Sequence, residues 1–207
     1  MQVAATARQF ERDGYLIVPR LVNAARAAKL CAFQRKLDAL GWHQGDRMVP
    51  GAFARYGTLQ GEQLLLDLCA KVAAITGVTL APTYSYLRIY HAGDVLHRHH
   101  DRAACEVSVS ITLGHDCVRP WPLWIAGRRA RRPVQLSPGD GVVYRGIECE
   151  HWRTRFRGRW QCQLFLHYVD RHGPYALWQH DLRRGPSSSS GKRHRSARSP
   201  LRATSTT

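Results

Sequence analysis

The sequence has 207 residues, with 31 lysine and arginine residues against 15 aspartate and glutamate residues and a formal net charge of +16. A chain of this length has room for one domain with a sizeable core, and a hydrophobic fraction of 44% excludes a chain that is disordered throughout. Charged residues interrupt every long apolar run, so no membrane span is expected. The first residues lack the apolar stretch of a secretory signal, so we expect a cytoplasmic protein.

Part of the basic charge lies in a segment that is not expected to fold. Residues 183–207 contain seven basic residues among Ser, Pro and Gly and no acidic residue, which predicts a disordered tail. The remaining 24 basic residues include the cluster Arg128–Arg132, which is predicted to be a solvated loop ending at Pro133. The charge is therefore weak support for nucleic-acid binding, and we do not expect nucleic acid to be the main partner.

The six cysteines contain no C-x-x-C pair, which excludes zinc-ribbon and thioredoxin-type sites. In a cytoplasmic protein they are expected to be reduced thiols.

The N-terminal 80 residues are predicted to form a helical brace with one strand. Thr6 and Gln9 have the spacing of a capping box, which predicts a helix that ends before Asp13. Tyr15–Val18 is predicted to be a strand. Asn23 is a candidate N-cap for a second helix, whose apolar residues at helical spacing are Leu30, Phe33, Leu37 and Leu40.

A third helix is predicted over residues 62–76. Leu65, Leu68, Val72 and Ile75 fall on one of its faces, and Gly77 is its stop signal.

From residue 81 onwards the pattern changes to strands. Alternation of apolar and polar residues over 107–113 predicts a half-buried strand, and further strands are predicted over 84–90, 141–144 and 160–169. The order of helices followed by short strands predicts a mainly β, α+β chain, with a sandwich or barrel core. The predicted division is a single domain over residues 1–182, with its β core at 81–182, and a tail over 183–207.

One stretch contains a possible metal-binding pattern. If the chain is extended here, His97, His99 and Asp101 point to the same side. An H-x-D pair with a distant third histidine is the ligand set of the facial triad of non-haem Fe(II) oxygenases, which leaves coordination positions open. Chance alone gives about 0.5 such pairs, from 11 His × 10 Asp over 207 residues, and one is present, so the surrounding residues must support the assignment.

Those surrounding residues resemble a known family. Residues 90–102 read YHAGDVLHRHHDR and are similar to the Y-x-x-G-x-x-L-x-x-H-x-D-R stretch of 2-oxoglutarate/Fe(II)-dependent oxygenases. Residues 138–144 read PGDGVVY and resemble the strand before the distal histidine of that family, which His151 would supply. Residues 163–170, QLFLHYVD, are similar to an uncharacterised bacterial branch close to the prolyl-hydroxylase-like group. The resemblance spans roughly residues 10–182.

The resemblance implies a double-stranded β-helix (jelly roll) and a non-haem dioxygenase. His99, Asp101 and His151 would be the catalytic metal ligands for Fe(II). The enzyme would convert 2-oxoglutarate and O2 into succinate and CO2 while hydroxylating a small-molecule or peptidyl substrate, with ascorbate as a candidate reductant. The sequence does not identify the substrate or the oligomeric state.

The residue that would bind the distal carboxylate of 2-oxoglutarate is less clear. The spacing in prolyl hydroxylases would place a basic residue at Trp160–Gln161, which is uncharged. Arginine suits the role because its planar fork matches a carboxylate. The candidates, in order of preference, are Arg153, Arg88 and Arg159, and Tyr90 could add a phenolic hydrogen bond.

Two other activities remain open at this point. His97 and His99 also fit a cupin-type metalloenzyme that does not use 2-oxoglutarate, although His151 lies far from the turn that cupins place before their last histidine. An oxidative nucleic-acid base demethylase would explain the charge. His167 is a candidate cavity residue, and Arg102 is expected to form a salt bridge, with Glu106 as one partner.

Overall fold

The strands of the chain form two antiparallel sheets. The structure, a computed structural model, describes residues 2–42 and 47–183. In those ranges there are ten strands, which are β1 (Tyr15–Val18), β2 (Phe53–Tyr56), β3 (Leu80–His91), β4 (Leu96–His99), β5 (Val107–Asp116), β6 (Leu123–Ala126), β7 (Arg131–Val134), β8 (Gly141–Arg145), β9 (His151–Arg153) and β10 (Trp160–Asp170).

The larger sheet has the strand order β1-β8-β5-β10-β3-β2, and the smaller sheet has the order β4-β9-β6-β7. Apolar side chains from both sheets form one buried cluster in the space that the sheets enclose. The long strand β10 lies between β3 and β5 at the centre of the large sheet and is hydrogen-bonded along both of its edges. This arrangement confirms the mainly β prediction and the sandwich or barrel core.

Three helices precede most of the strands, and two 3-10 segments follow later. These elements are α1 (Gln2–Asp13), α2 (Ala24–Ala39), α3 (Leu59–Thr76) and the 3-10 segments Ala103–Cys105 and Ala176–Leu182. Apolar side chains of the helices pack with the outer face of the large sheet in a second buried cluster. The helices therefore brace the sheet from outside and leave its inner face to the enclosed space.

The second and third helices begin and end close to the predicted residues. The Asn23 side chain accepts hydrogen bonds from the first turn of α2, and Thr58 does so for α3. Gly77 ends α3 with φ of +76°, a conformation that glycine adopts without steric cost. The helix predicted over 62–76 thus starts three residues earlier, at Leu59.

Two details of the helix predictions are wrong. Thr6 lies inside α1 instead of capping it, because the helix already begins at Gln2. On α2 the predicted apolar stripe is only partly buried: Phe33 is 46% exposed and Leu40 is 68% exposed. Leu30 is buried as predicted, and the other buried positions of the helix are Ala27, Cys31 and Gln34.

The basic cluster Arg128–Arg132 is exposed, as predicted, but it is not one loop. It lies at the tip of the β6–β7 hairpin, and Pro133 falls inside β7. Arg128 is paired with Glu11 at 2.6 Å and with Glu148 at 2.8 Å, so part of this charge is used in ion pairs that tie the hairpin to α1.

Arg183, the first residue of the predicted tail, is described, and it donates hydrogen bonds to Glu62 and to the carbonyl of Thr83. The rest of the predicted tail, residues 184–207, lies outside the described residues.

All six cysteines lie in the described ranges and are free thiols. Among the described helices, none has the length and apolar character that a bilayer crossing requires.

Candidate active site

Two histidines and one aspartate meet at one end of the enclosed space. His99 ends β4 and is paired in register with His151, the first residue of β9, across the small sheet. Asp101 follows two residues after β4, and its backbone N–H is held by the carbonyl of Gly146 at 2.9 Å. The Oδ1 atom of Asp101 lies 3.8 Å from His99 Nε2 and 3.6 Å from His151 Nε2. The predicted triad is therefore brought together in space.

Both imidazoles are oriented by backbone carbonyls. Nδ1 of His99 is 2.8 Å from the carbonyl of His97, and Nδ1 of His151 is 2.9 Å from the carbonyl of Cys149. A carbonyl only accepts hydrogen bonds, so each ring carries a proton on Nδ1 and presents its Nε2 atom towards Asp101. Metal-binding histidines are held by outer hydrogen bonds of this kind.

The carboxylate of Asp101 is held from the opposite side. Ser108 Oγ donates to Oδ2 of Asp101 at 2.7 Å, and the same hydroxyl lies 2.9 Å from His167 Nδ1. Since Ser108 uses its proton on the carboxylate, it accepts from His167, which fixes the tautomer of that ring. A chain from His167 through Ser108 to Asp101 leaves Oδ1 free to face the two histidines.

Burial keeps two of these imidazoles neutral. Desolvation lowers the pKa of His151, although the negative charge of Asp101 opposes it. Desolvation likewise lowers the pKa of His167 to about 4, with Asp101 again opposing. A neutral His151 is the form that can donate a lone pair to a metal.

The donor set fits a divalent transition metal. Each Nε2–Oδ1 separation is shorter than twice a metal–nitrogen bond of about 2.1 Å, so one ion can reach both histidines and the carboxylate. Two imidazoles and one carboxylate are the ligands of non-haem Fe(II) centres with open positions. The described residues therefore bring together the donor set that the resemblance implied.

A second cluster, formed by Asp101, Cys105 and His167, is a weaker candidate. Desolvation is the main cause that raises the pKa of Cys105, and its sulfur lies 3.1 Å from the hydroxyl of Tyr84. A thiol that stays protonated is a poor metal ligand, and Ser108 already links Asp101 with His167. This cluster supports the triad instead of forming a separate site.

The triad opens into a cavity of about 560 Å³. Aromatic side chains of Tyr84, Tyr86, Tyr144 and Phe165 form much of its wall. The arginines that line it are Arg47, Arg88 and Arg102, and the lining histidines are His99, His100, His151 and His167. Asp101 is the single acidic residue among the described lining residues, so the cavity is suited to anions.

The three candidate anchor arginines lie in different places. Arg88 is 7% exposed, lines the same cavity as the triad, and donates to the hydroxyl of Tyr90 at 2.8 Å. Arg153 is 2% exposed and donates to the carbonyl of Trp121 at 2.6 Å. The side chain of Arg159 is 82% exposed and paired with Asp116. The geometry therefore favours Arg88 over the preferred Arg153 and does not bring Arg159 to the site.

Arg153 still contributes charge next to the cavity. Its Nε is buried without a hydrogen-bond partner, and desolvation lowers the pKa of its guanidinium to about 10. The neighbours that act on this pKa include the phenols of Tyr90 and Tyr144 and the cation Arg88. Two buried cations close to each other are a favourable place for an anionic ligand.

Several sequence predictions around the triad need correction. His97 is exposed and outside the cluster of Asp101 and the two histidines, because the pairing register of β4 shifts between Leu96 and His99 and interrupts the strand alternation. The four-ligand set of a cupin is therefore not assembled in the described residues. Arg102 pairs with Asp181, not with Glu106. His167 lines the cavity, as its candidate role required.

Two contributors were missed. Ser108 was treated as a strand residue only, since nothing in a Val-Ser-Val-Ser pattern shows which serine reaches a ligand. At Gly146, a Cβ would lie 2.2 Å from the carbonyl of Cys105 and 2.6 Å from Oδ2 of Asp101, so only glycine leaves room for this carboxylate. A glycine shortly before the distal histidine was the available signal.

Comparison with known proteins gives a consistent result for the fold. No family model and no curated protein matches the sequence. Among solved structures, a prolyl-4-hydroxylase of Pseudomonas putida matches with a TM-score of 0.67 and 19% identity, covering 82% of this chain and 99% of that chain.

Two further solved structures have a similar fold. SnoN, an epimerase of nogalamycin biosynthesis in complex with Fe3+, alpha ketoglutarate and nogalamycin RO, has a TM-score of 0.67, 15% identity and coverage of 90% and 92%. A prolyl hydroxylase of Trichoplax adhaerens, in complex with a hypoxia inducible factor peptide, has a TM-score of 0.66, 13% identity and coverage of 85% and 92%.

These similarities define the fold class. The chain has the double-stranded β-helix of the 2-oxoglutarate/Fe(II) oxygenases, and its structural neighbours include prolyl hydroxylases. The fold that the sequence resemblance predicted is confirmed.

Proposed function

We propose that the protein is a non-haem Fe(II)- and 2-oxoglutarate-dependent oxygenase. The observation that carries the proposal is the convergence of His99 Nε2, His151 Nε2 and Asp101 Oδ1 at the wall of a cationic cavity. The ligand types and their oriented imidazoles suit Fe(II), and the nearby buried arginines suit an anionic cosubstrate such as 2-oxoglutarate.

His99, Asp101 and His151 would hold the iron. When bound, iron and 2-oxoglutarate supply the oxidising chemistry, in which O2 and 2-oxoglutarate are consumed, succinate and CO2 are released and the substrate is hydroxylated. The protein's own residues then have to bind, orient and exclude water.

Arg88 is our choice for binding the distal carboxylate of 2-oxoglutarate. Its guanidinium lines the cavity, and the hydroxyl of Tyr90 fixes one of its nitrogens. Arg153 adds positive potential next to Tyr90. The guanidiniums of Arg153 and Arg88 are close enough for Arg88 to lower the pKa of Arg153. A carboxylate placed there would relieve the repulsion between the two guanidiniums.

The aromatic walls exclude water from the cavity. Tyr86 packs against Phe165 at 6.5 Å between ring centroids, and Tyr144 lies edge-on to His151 at 4.8 Å. Ser108 and His167 keep the carboxylate of Asp101 from turning away. These contacts hold the reacting groups in one arrangement.

Hydroxylation is the outcome that we favour, although the fold also carries other reactions. Structural neighbours include an epimerase and a carbocyclase as well as hydroxylases. Halogenation is disfavoured because Asp101 occupies the position that a halide would need.

The test uses purified full-length protein without oxygen. Addition of Fe(II) and then 2-oxoglutarate should produce a metal-to-ligand charge-transfer absorption, and admission of air with ascorbate should yield succinate. Asp101→Ala should lose both signals, since it removes the only anionic ligand of the triad. Asp116→Ala is the matched control, because Asp116 is a surface partner of Arg159.

Metal binding without 2-oxoglutarate-dependent absorption or succinate would contradict the proposal. It would favour a metalloenzyme of another class.

A further inference from the structure

The C-terminal 3-10 segment places a carboxylate beside the cavity. Both Nη atoms of Arg102 donate to Asp181, at 2.7 and 2.8 Å, and the hydroxyl of Tyr56 donates to the same carboxylate at 2.5 Å. This is the paired geometry with which arginine recognises carboxylates. Asp181 therefore occupies a formed carboxylate-binding position.

That position is continuous with the proposed active site. Arg102 follows Asp101 directly in sequence and lines the cavity, whereas Asp181 and Tyr56 lie beyond it. The guanidinium of Arg102 lies 4.7 Å from the ring of Tyr84, which in turn stacks on Tyr56 at 4.9 Å. Tyr84 and Tyr56 thus hold the guanidinium of Arg102 at the boundary between the cavity and the C-terminal segment.

The backbone that brings Asp181 to this place is strained. His180, Asp181 and Leu182 have φ values of +57°, +53° and +57°, and none of them is glycine. Side chains disfavour this left-handed region, so three such residues in succession carry a conformational cost. Detachment of the segment would release this conformational cost, which favours the replacement of Asp181 by a ligand that has no such constraint.

We propose that Arg102 and Tyr56 form a substrate-carboxylate subsite that Asp181 fills until substrate arrives. This inference rests on the proposed function for its role in catalysis. It adds the substrate class, which is a compound bearing a carboxylate. On binding, the substrate carboxylate takes the two Nη donors and the phenol, and the C-terminal segment detaches.

The charge of the cavity supports an anionic ligand. Among the described residues, three arginines line it and Asp101 is the single lining carboxylate. If Arg88 binds 2-oxoglutarate, Arg102 remains as a second planar fork next to the proposed metal ligands. A carboxylate matches that fork better than a neutral group does.

The experiment measures binding without relying on turnover. We choose para-fluorobenzoate as the probe, because it is a planar carboxylate suited to an aromatic cavity, and para-fluorobenzamide as its neutral counterpart. Fluorine NMR titrations use the full chain with Zn(II) as a redox-inert metal, with and without saturating 2-oxoglutarate.

The variants separate this subsite from the 2-oxoglutarate position. Asp181→Asn should bind the benzoate about tenfold more tightly than the wild type, because the competing carboxylate is removed and a larger fraction of molecules is competent. Arg102→Gln should weaken binding at least about tenfold, while Arg88→Gln should leave it within about twofold. The amide should not bind.

Asp67→Asn is the matched control. Asp67 accepts a hydrogen bond from Arg26 at 2.8 Å on the helical side of the molecule. The substitution therefore removes a similar arginine–carboxylate pair far from the cavity. Benzoate affinity should not change in this variant.

Displacement has its own measurement. Arg183 is anchored to Glu62 and to the carbonyl of Thr83, so trypsin should cleave after it faster when para-fluorobenzoate is bound or when Asp181 is Asn. Unchanged affinity in Asp181→Asn, loss of binding in Arg88→Gln instead of Arg102→Gln, or benzoate binding without faster cleavage would each overturn the proposal. Failure of 2-oxoglutarate to bind would contradict the proposed function alone.

Discussion

On the three central strands of the large sheet, β3, β5 and β10, the two faces have opposite chemistry. The face covered by helices presents aliphatic side chains from β3, β5 and β10, which are Leu87, Ile89, Val109, Ile111, Leu164 and Leu166. The face towards the cavity presents polar side chains from the same strands, which are Arg88, Ser108, Ser110, Thr112, Gln163 and His167. Both sets are buried.

The difference shows which face stabilises the fold and which carries its chemistry. Burying aliphatic surface is favourable without regard to direction. Burying polar groups is costly unless each is hydrogen-bonded, and here the inner groups bond to one another: Gln163, for example, links Ser110 with Thr112. Stability alone therefore does not require polar residues at these positions of the inner face.

The largest expected effect lies on the outer face. Leu166→Ala removes a fully buried side chain from the cluster under the helices and should lower the free energy of unfolding by about 2–5 kcal/mol. Urea denaturation measures the change, and Ile17→Ala, at an exposed position of β1, is the control. Metal affinity of the folded variant should stay unchanged; a large loss would mean that the two faces are not separable.

The next effect concerns pH and lies on the inner face. The pKa of His167 is lowered to about 4 by burial, below the ordinary value of about 6.5. Between these values the unfolded chain binds the extra proton, so stability falls as pH falls through this window. The wild type should lose up to about 3 kcal/mol more than His167→Gln on acidification from pH 6.5 to 4.

Denaturation of protein without added metal at several pH values measures this difference. The exposed His172 supplies the control: His172→Gln should keep the full pH dependence of the wild type. An equal acid sensitivity in His167→Gln would show that burial does not hold this imidazole neutral.

Sequence periodicity could predict that these strands exist but not what covers them. The alternation over 107–113 indicated a half-buried strand, yet Ser108, Ser110 and Thr112 are at most 1% exposed. A polar residue that faces water and one that faces a polar cavity give the same pattern of period two. The buried polar face became visible only once the second sheet was in place.

The candidate site divides in the same way. The motif around His99, Asp101 and His151 was recognisable because its residues are close in sequence or marked by a turn. The choice between Arg88 and Arg153 could not be made from the sequence, since the alternation of each strand allows its arginine to face inwards. That choice depends on which strand borders the cavity, and strand neighbours such as β3 and β10 cannot be read from spacing alone.

A smaller effect should follow from Arg88→Gln, which removes a cation from the inner face. If Arg88 binds the distal carboxylate, the affinity for 2-oxoglutarate should fall by roughly 30-fold, or about 2 kcal/mol. Calorimetric titration of the metal-loaded protein measures it, and Arg159→Gln, at the surface, should behave like the wild type. A larger loss in Arg153→Gln than in Arg88→Gln would restore the original preference for Arg153.

The smallest effect tests whether the inner face positions the metal ligands. Ser108→Ala removes the donor that holds Oδ2 of Asp101, and outer-shell changes of this type cost about tenfold or more in metal affinity. Ser110→Ala is a matched change one alternation further along β5, where the hydroxyl bonds to Gln163 instead of a ligand. Titration with Ni(II) should therefore show weaker binding in Ser108→Ala and unchanged binding in Ser110→Ala. Equal losses in both would mean that serines of this face act through general packing, and the functional distinction between the two faces would no longer extend to single hydroxyl groups.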